Sequence, residues 1–192
     1  MIEKFENDYG GYSILTLSPI YKGDVIFTAE DIVSDEEEGW IEIPFSILNI
    51  FRNSIDMDTF TKFCYNVTES IVRGPIDIKY VLHASNFIDH SCDPNVGLDV
   101  EDNWIALRNI DKDEVLNIDY GTLLFNPEHR FDCLCRSTKC RGRISPNDWK
   151  FLCLQDNKVF PSGTRDYVNK YMNLDSSRSK KFFSLLKMIF GK

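Results

Sequence analysis

Cys133-Leu134-Cys135 and Cys140 place three thiols within eight residues, in a segment from Asn126-Pro127 to about Arg143 that has no clear hydrophobic period. With few apolar side chains to bury, such a stretch cannot be held by a core of its own. It needs a staple, and thiolates at about 2.3 Å from Zn²⁺ would supply one. Three ligands leave a structural zinc one short, and Cys92, Cys153, Cys64, His90 and His129 are the candidates for the fourth. Local spacing does not choose among them. The competing reading is ordinary reduced cysteines, since C-x-C-x4-C is less specific than paired C-x-x-C knuckles. Clustered thiols point to a reducing compartment, cytoplasmic or nuclear. The opening Met1-Ile2-Glu3-Lys4-Phe5-Glu6 turns acidic at once, unlike a secretory leader.

The rest of the chain carries enough apolar material for one domain: 43% of its 192 residues are hydrophobic and 13% aromatic. Thirty acidic against 22 basic residues give a formal charge of -8, which argues against holding nucleic acid by general electrostatics and suits a basic partner. Solubility alone is the plainer explanation of that charge.

Turn and period signals predict a β-rich chain with short helices. Tyr12 to Leu17 and Asp24 to Phe27 read as strands of a hairpin, joined through Pro19 and Gly23. The acidic run Ser34 to Glu38 reads as a solvated loop, and Ile41, Ile43 and Phe45 alternate as a third strand. Met57, Phe60, Phe63, Cys64 and Val67 fall at helical spacing within Asp56 to Val67. Val96 to Val100, Trp104 to Arg108 and Glu114 to Ile118 then read as a strand meander separated by turn-rich Glu101-Asp102-Asn103 and Asn109 to Asp113. Ser179 to Lys192 is an amphipathic basic helix, shorter than the ~20 apolar residues that span a bilayer. It is expected to dock on the domain, with membrane-surface contact or a partner helix as the alternatives.

Asn86-Phe87-Ile88-Asp89-His90-Ser91-Cys92-Asp93-Pro94-Asn95 resembles the R-F-x-N-H-S-C-x-P-N signature of SET-domain lysine methyltransferases, without interruption from His90 to Asn95. Glu114-Val115-Leu116-Asn117-Ile118-Asp119-Tyr120-Gly121 is similar to the second signature, E-L-x-x-D-Y-G. Phe131-Asp132-Cys133-Leu134-Cys135 with Cys140-Arg141-Gly142 looks like the post-SET motif. Gly10-Gly11-Tyr12 and Lys22-Gly23-Asp24-Val25-Ile26 resemble the weaker opening pattern. All four stand in the family's order.

The resemblance implies an α+β fold, mainly β, of several small sheets with a C-terminal pseudoknot crossing. It divides the chain into a SET domain at 8–122 with an insert at about 47–74, a post-SET zinc segment at 123–144 and a helical extension at 145–192. It implies methyl transfer from S-adenosylmethionine to a lysine amine of a protein substrate, histone or another basic protein. A non-catalytic SET-like binding module is the alternative. Cys92 would join Cys133, Cys135 and Cys140 around Zn²⁺.

Tyr120 takes the position of the active-site tyrosine, with a core tyrosine ending a strand as its competing reading. Gly11, Tyr12, Asp89 and His90 fall where the family contacts its cofactor, His90 through its backbone rather than as a general base. Asp89 keeps an acceptor for the cofactor's α-ammonium but lacks the amide donor of the usual asparagine, and Asn86 replaces an arginine. Ile118 stands where a phenylalanine or tyrosine influences how many methyl groups are added, and its lack of a hydroxyl leans toward di- or trimethylation. Tyr65 and Tyr80 are both candidates for a second pore tyrosine. Asn95 and Asp119 are expected to hold the crossing.

Overall fold

The computed structural model describes residues 2–8, 10–36, 38–123, 125, 129–155 and 158–173. The helix expected at Ser179 to Lys192 lies outside them. In chain order the strands and α-helices are β1 (Ile2–Glu6), β2 (Tyr12–Thr16), β3 (Val25–Phe27), α1 (Ala29–Asp35), β4 (Trp40–Pro44), α2 (Met57–Phe63), β5 (Tyr65–Asn66), β6 (Ile71–Pro75), β7 (Asp89–His90), β8 (Val96–Leu98), β9 (Trp104–Ala106), β10 (Asn117–Ile118), β11 (Phe131–Asp132), β12 (Arg143–Ile144) and α3 (Asp148–Leu152). Residues 162–173 form a further helix. The sheets are small: β1-β2, β3-β9-β8, β4-β6-β5, β11-β12 and the parallel pair β10-β7. The β-rich α+β class expected from the sequence is the class observed.

Three local expectations are corrected. The opening hairpin is β1 with β2, not Tyr12–Leu17 with Asp24–Phe27. Residues of the Pro19–Gly23 turn bond outward instead: Ile20 bridges Ile110, Lys22 N–H donates to Asn109 Oδ1, and Gly23 N–H donates to the Ala106 carbonyl. β3 is thereby delivered to β9. The acidic stretch is not a simple loop, because Thr28 caps α1 by accepting from Asp31 N–H, and acidic residues in the first turn complement the helix dipole. Glu36, just past α1, is buried. The third strand of the expected meander does not pair with β9; Leu116 N–H donates to the Ile14 carbonyl and β10 runs parallel to β7. Turn residues say that a chain bends, while backbone pairing is chosen by whichever apolar face is nearest.

Helix α2 exists but stops at Phe63, where Cys64 turns extended into β5. Its N-cap, Asp56, accepts from Thr59 N–H. The insert has its own core of Ile43, Leu48, Phe60, Cys64 and Val72. The main core gathers Ile14, Phe27, Phe87, Ile88, Val96, Ile110, Leu116 and Ile118. Asn95, fully buried, ties the signature segments together: its Oδ1 accepts from Asn117 N–H at 2.8 Å and its Nδ2 donates to the Val115 carbonyl at 2.9 Å. A buried amide satisfied on both sides fixes register more firmly than an apolar residue would. The piece after the cysteines adds a third core of Phe125, Trp149, Leu152, Phe160 and Val168.

Candidate active site and cysteine centre

Pairing β10 with β7 sets Tyr120 beside the 86–92 segment. Its hydroxyl donates to the Ile88 carbonyl at 2.7 Å, and its backbone N–H donates to His90 Nδ1 at 3.1 Å. Burial, helped by the nearby charge of Asp89, raises the Tyr120 pKa and keeps it a neutral phenol. Burial also drives the His90 pKa down to about 4, with the pull of Asp119 and the push of Arg141 secondary. A neutral imidazole is what accepting the Tyr120 N–H requires. His90 is packed against Tyr120 and Phe131 at centroid distances of 5.4 and 5.5 Å, so its ring is a wall element.

Tyr120 lines a cavity of about 380 Å³, with Ile88, Phe63, Tyr65, Leu123 and Phe131 among its other walls. Of the two tyrosines left open by the sequence, Tyr65 is in this wall. Tyr80 is not; its ring lies against Gly39, where an added Cβ would come within 2.2 Å of it. Ile118 is buried in the main core and is not among the residues of this cavity wall. The walls come from distant parts of the chain: α1, the insert, the two signature segments and, through Phe131, the cysteine-rich segment.

Phe87, which packs on Phe63 of the cavity wall, also meets Tyr12 of the expected cofactor set. Tyr12, 46% exposed, meets the Phe87 ring edge-on at 6.0 Å. The Ser13 hydroxyl donates to Asp89 Oδ2, and burial raises the Asp89 pKa against that bond. Lys4 Nζ lies 3.5 Å from the Phe87 centroid and 4.3 Å from that of Tyr12. Gly11 bonds with Asn7 across the turn, its N–H donating to Asn7 Oδ1. At Gly10, φ is +77°, a conformation that favours glycine.

The fold draws Cys92, Cys133, Cys135 and Cys140 together, their sulfurs all within 4.8 Å of one another and the Cys92–Cys133 pair at 3.7 Å. Tetrahedral zinc with ~2.3 Å bonds separates its sulfurs by about 3.8 Å, so the four thiols fit such an ion. Backbone N–H groups of Arg141 and Gly142 point at Cys92 and Cys140 sulfurs, both at 3.4 Å. Burial opposes ionisation of Cys135, yet N–H groups of Cys92 and Ser137 and the thiols of Cys133 and Cys140 bring its pKa down to about 6. Of the other candidates for fourth ligand, Cys64 and His129 lie together at the cavity, with sulfur and Nε2 3.5 Å apart. Cys153 belongs to the third core.

Arg141 is a structural residue of the site that sequence reading passed over, although it stands inside a quoted motif. Its guanidinium grips Asp119 with two bonds of 2.7 and 2.8 Å, and its Nε donates to Asp148 at 2.8 Å. The cysteine segment is thus tied to the residue before Tyr120 and to α3. Such a fork-to-carboxylate pair is strong and directional. Lys158 Nζ adds a longer contact to Asp119 at 3.7 Å.

A SET-domain family model matches residues 11–121, more than half of the chain and both signature segments that meet at Tyr120. The chain belongs to the SET-domain family. Among similar curated proteins is the histone-lysine N-methyltransferase ASHR3 of Arabidopsis thaliana, 35% identical over 86 residues, a match covering 41% of this chain and 17% of that protein. The matched stretch is therefore about a sixth of the relative's length. A solved Plasmodium falciparum protein described as a candidate histone methyltransferase aligns over 62% of this chain and 91% of its own, at 20% identity and a TM-score of 0.37. The cysteine segment lies beyond the residues that the SET-domain model covers.

Proposed function

We propose that this SET domain transfers a methyl group from S-adenosylmethionine to a lysine side chain of a basic protein, with Tyr120 orienting the amine. The observation that carries the reading is the Tyr120 hydroxyl, held on the Ile88 carbonyl in the wall of a largely apolar cavity. Because that hydroxyl spends its proton on Ile88, its oxygen is left to accept from an amine N–H. The amine lone pair is then directed elsewhere, as in-line displacement demands. The apolar walls disfavour an ammonium and so favour the neutral nucleophile. The phenol remains protonated for the reason given above.

The face around Asp89 fits a cationic cofactor on its own evidence: a half-buried carboxylate stands beside two aromatic rings that already hold the Lys4 ammonium. Asp89 would take the α-ammonium, with Tyr12, Gly11 and the backbone of His90 completing the site. S-adenosylmethionine supplies the electrophilic methyl group when bound. Cys92, Cys133, Cys135 and Cys140 would hold Zn²⁺, which supplies the cross-link that keeps Phe131 over Tyr120. We assign 8–122 to the catalytic domain, 123–144 to a post-SET segment and the residues after it to a docking extension. A net charge of -8 supports a basic substrate.

Titration calorimetry of the zinc-loaded chain with S-adenosylmethionine tests the cofactor half of the proposal. Labelled-methyl transfer to mixed core histones tests the rest. Wild type and Tyr120→Phe are expected to bind alike while the variant loses transfer by about 10²-fold or more. A well-folded protein that binds no cofactor would instead be a non-catalytic SET-like binding module.

A further inference from the structure

Glu36 is a carboxylate in the wall of the Tyr120 cavity, 1% exposed and incompletely paired. Both of its side-chain partners use the same oxygen: Tyr65 Oη donates to Oε2 at 2.6 Å, and Arg73 Nε stands 3.5 Å from Oε2. That nitrogen makes no hydrogen bond, while the rest of the guanidinium is drawn away to the Glu36 carbonyl at 2.7 Å and to Glu42 at 3.3 Å. A buried anion whose counter-charge is shared and off-geometry is costly, unless something else arrives to meet it. The other acid in the wall, Asp102, is already engaged by Arg165 and by the Ser162 N–H. The same wall carries Ile32, Val33, Phe63 and Ile88, with the Lys62 ammonium placed over the Phe63 ring at 5.4 Å from its centroid. In the same wall Asn86 presents a buried Nδ2 with no hydrogen-bond partner, a donor suited to a carbonyl of the same ligand.

We propose that Glu36 is a specificity-determining residue that docks the alkylammonium side chain admitted by this cavity, its Oε1 accepting from the ammonium while the apolar walls take the methylene stem. A neutral side chain of the same shape would fill the walls and leave the carboxylate as poorly paired as before, so discrimination follows from charge. Tyr65 is then a positioning residue: by occupying Oε2 it turns Oε1 to the ligand. The inference rests on the methyl-transfer reading for the identity of the ligand as a substrate lysine, which docks at Glu36 as the entering ammonium and must release that proton to solvent before the neutral amine is presented at Tyr120; the pairing of cavity and cation does not need that reaction.

The test uses the zinc-loaded full chain with n-butylammonium and n-butanol as probes, followed by amide resonances of Glu36 and Tyr65. Wild type is expected to bind the ammonium about tenfold or more tightly than the alcohol, as a charge-assisted hydrogen bond implies. Glu36→Gln should abolish that preference and leave n-butanol affinity as it was. Tyr65→Phe, which keeps the carboxylate but frees its Oε2, should weaken the preference without abolishing it, and Glu36→Asp, which keeps the charge but draws it back by one methylene, should lower the preference and decides the matter should the glutamine variant not fold. Equal affinities for the two probes in wild type, or an undiminished preference in Glu36→Gln, would overturn the assignment. Ammonium docking at Glu36 without methyl transfer to core histones would leave the docking site standing and remove the reaction.

Discussion

Among the described residues two carboxylates are buried to the same depth, Asp119 and Glu36 each 1% exposed, and they are held in opposite ways. Asp119, at the crossing beside the cysteine centre, receives both prongs of Arg141 and the N–H of Gly121. Burial works against its charge, but the Arg141 pairing outweighs it and the pKa is lowered. Glu36, at the cavity, receives one hydroxyl and an off-geometry arginine, and there burial wins and the pKa is raised. Complete pairing marks a charge consumed by architecture. Incomplete pairing beside a cavity marks one kept for a ligand.

The comparison breaks if the crossing is not the stiffer of the two regions. The largest effect is expected from chelation, since structural zinc binding is worth on the order of 10 kcal/mol in small cysteine sites. Hydrogen exchange after metal removal should expose 131–144 while the β4-β6-β5 sheet of the insert keeps its protection. Equal loss in both regions would mean that they are not separate. Next, Arg141→Ala strands Asp119 as an uncompensated buried charge and should cost ~3–5 kcal/mol in urea unfolding. A loss under about 1 kcal/mol would show that Lys158 suffices. Tyr65→Phe should cost less, ~1.5–3 kcal/mol, because only one hydrogen bond to a carboxylate is removed.

The smallest effect is the sharpest, since it differs in sign. Asp119 has its pKa lowered from 3.8, so its contribution is present above that value and is lost as pH falls through the folded value. Glu36 has its pKa raised from 4.5 by burial, offset in part by Tyr65 and Arg73 and increased by Asp35, so its contribution is present below 4.5 and is lost as pH rises through the folded value. Urea midpoints between about pH 3 and 8 should therefore show a shallower acid limb in Arg141→Ala and a shallower higher-pH decline in Glu36→Gln. Parallel profiles in the two variants would erase the distinction.

Much of the site could be read in advance because its chemistry is local. Six residues from His90 to Asn95 and three cysteines within eight carry their meaning in spacing, and α2 and β4 announce themselves by period. Glu36 had no such signal. It sits in the run Ser34 to Glu38, where every neighbouring charge argues for solvent, and only the packing of α1 against the insert gives it Tyr65 and Arg73. Arg141 was visible as a residue but not as a partner, since Asp119 stands 22 positions earlier.

The family, the β-rich class, Tyr120 as the residue to watch and the three clustered cysteines were all legible in the chain, because motif and period are short-range properties. Tertiary structure alone decided that Tyr12–Thr16 pairs with the N-terminal strand and that Tyr65 rather than Tyr80 faces the cavity. It also decided which of two buried acids is paired and which is left waiting. Those outcomes depend on long-range packing and on how much counter-charge reaches each burial site, quantities that exist only once distant segments have met.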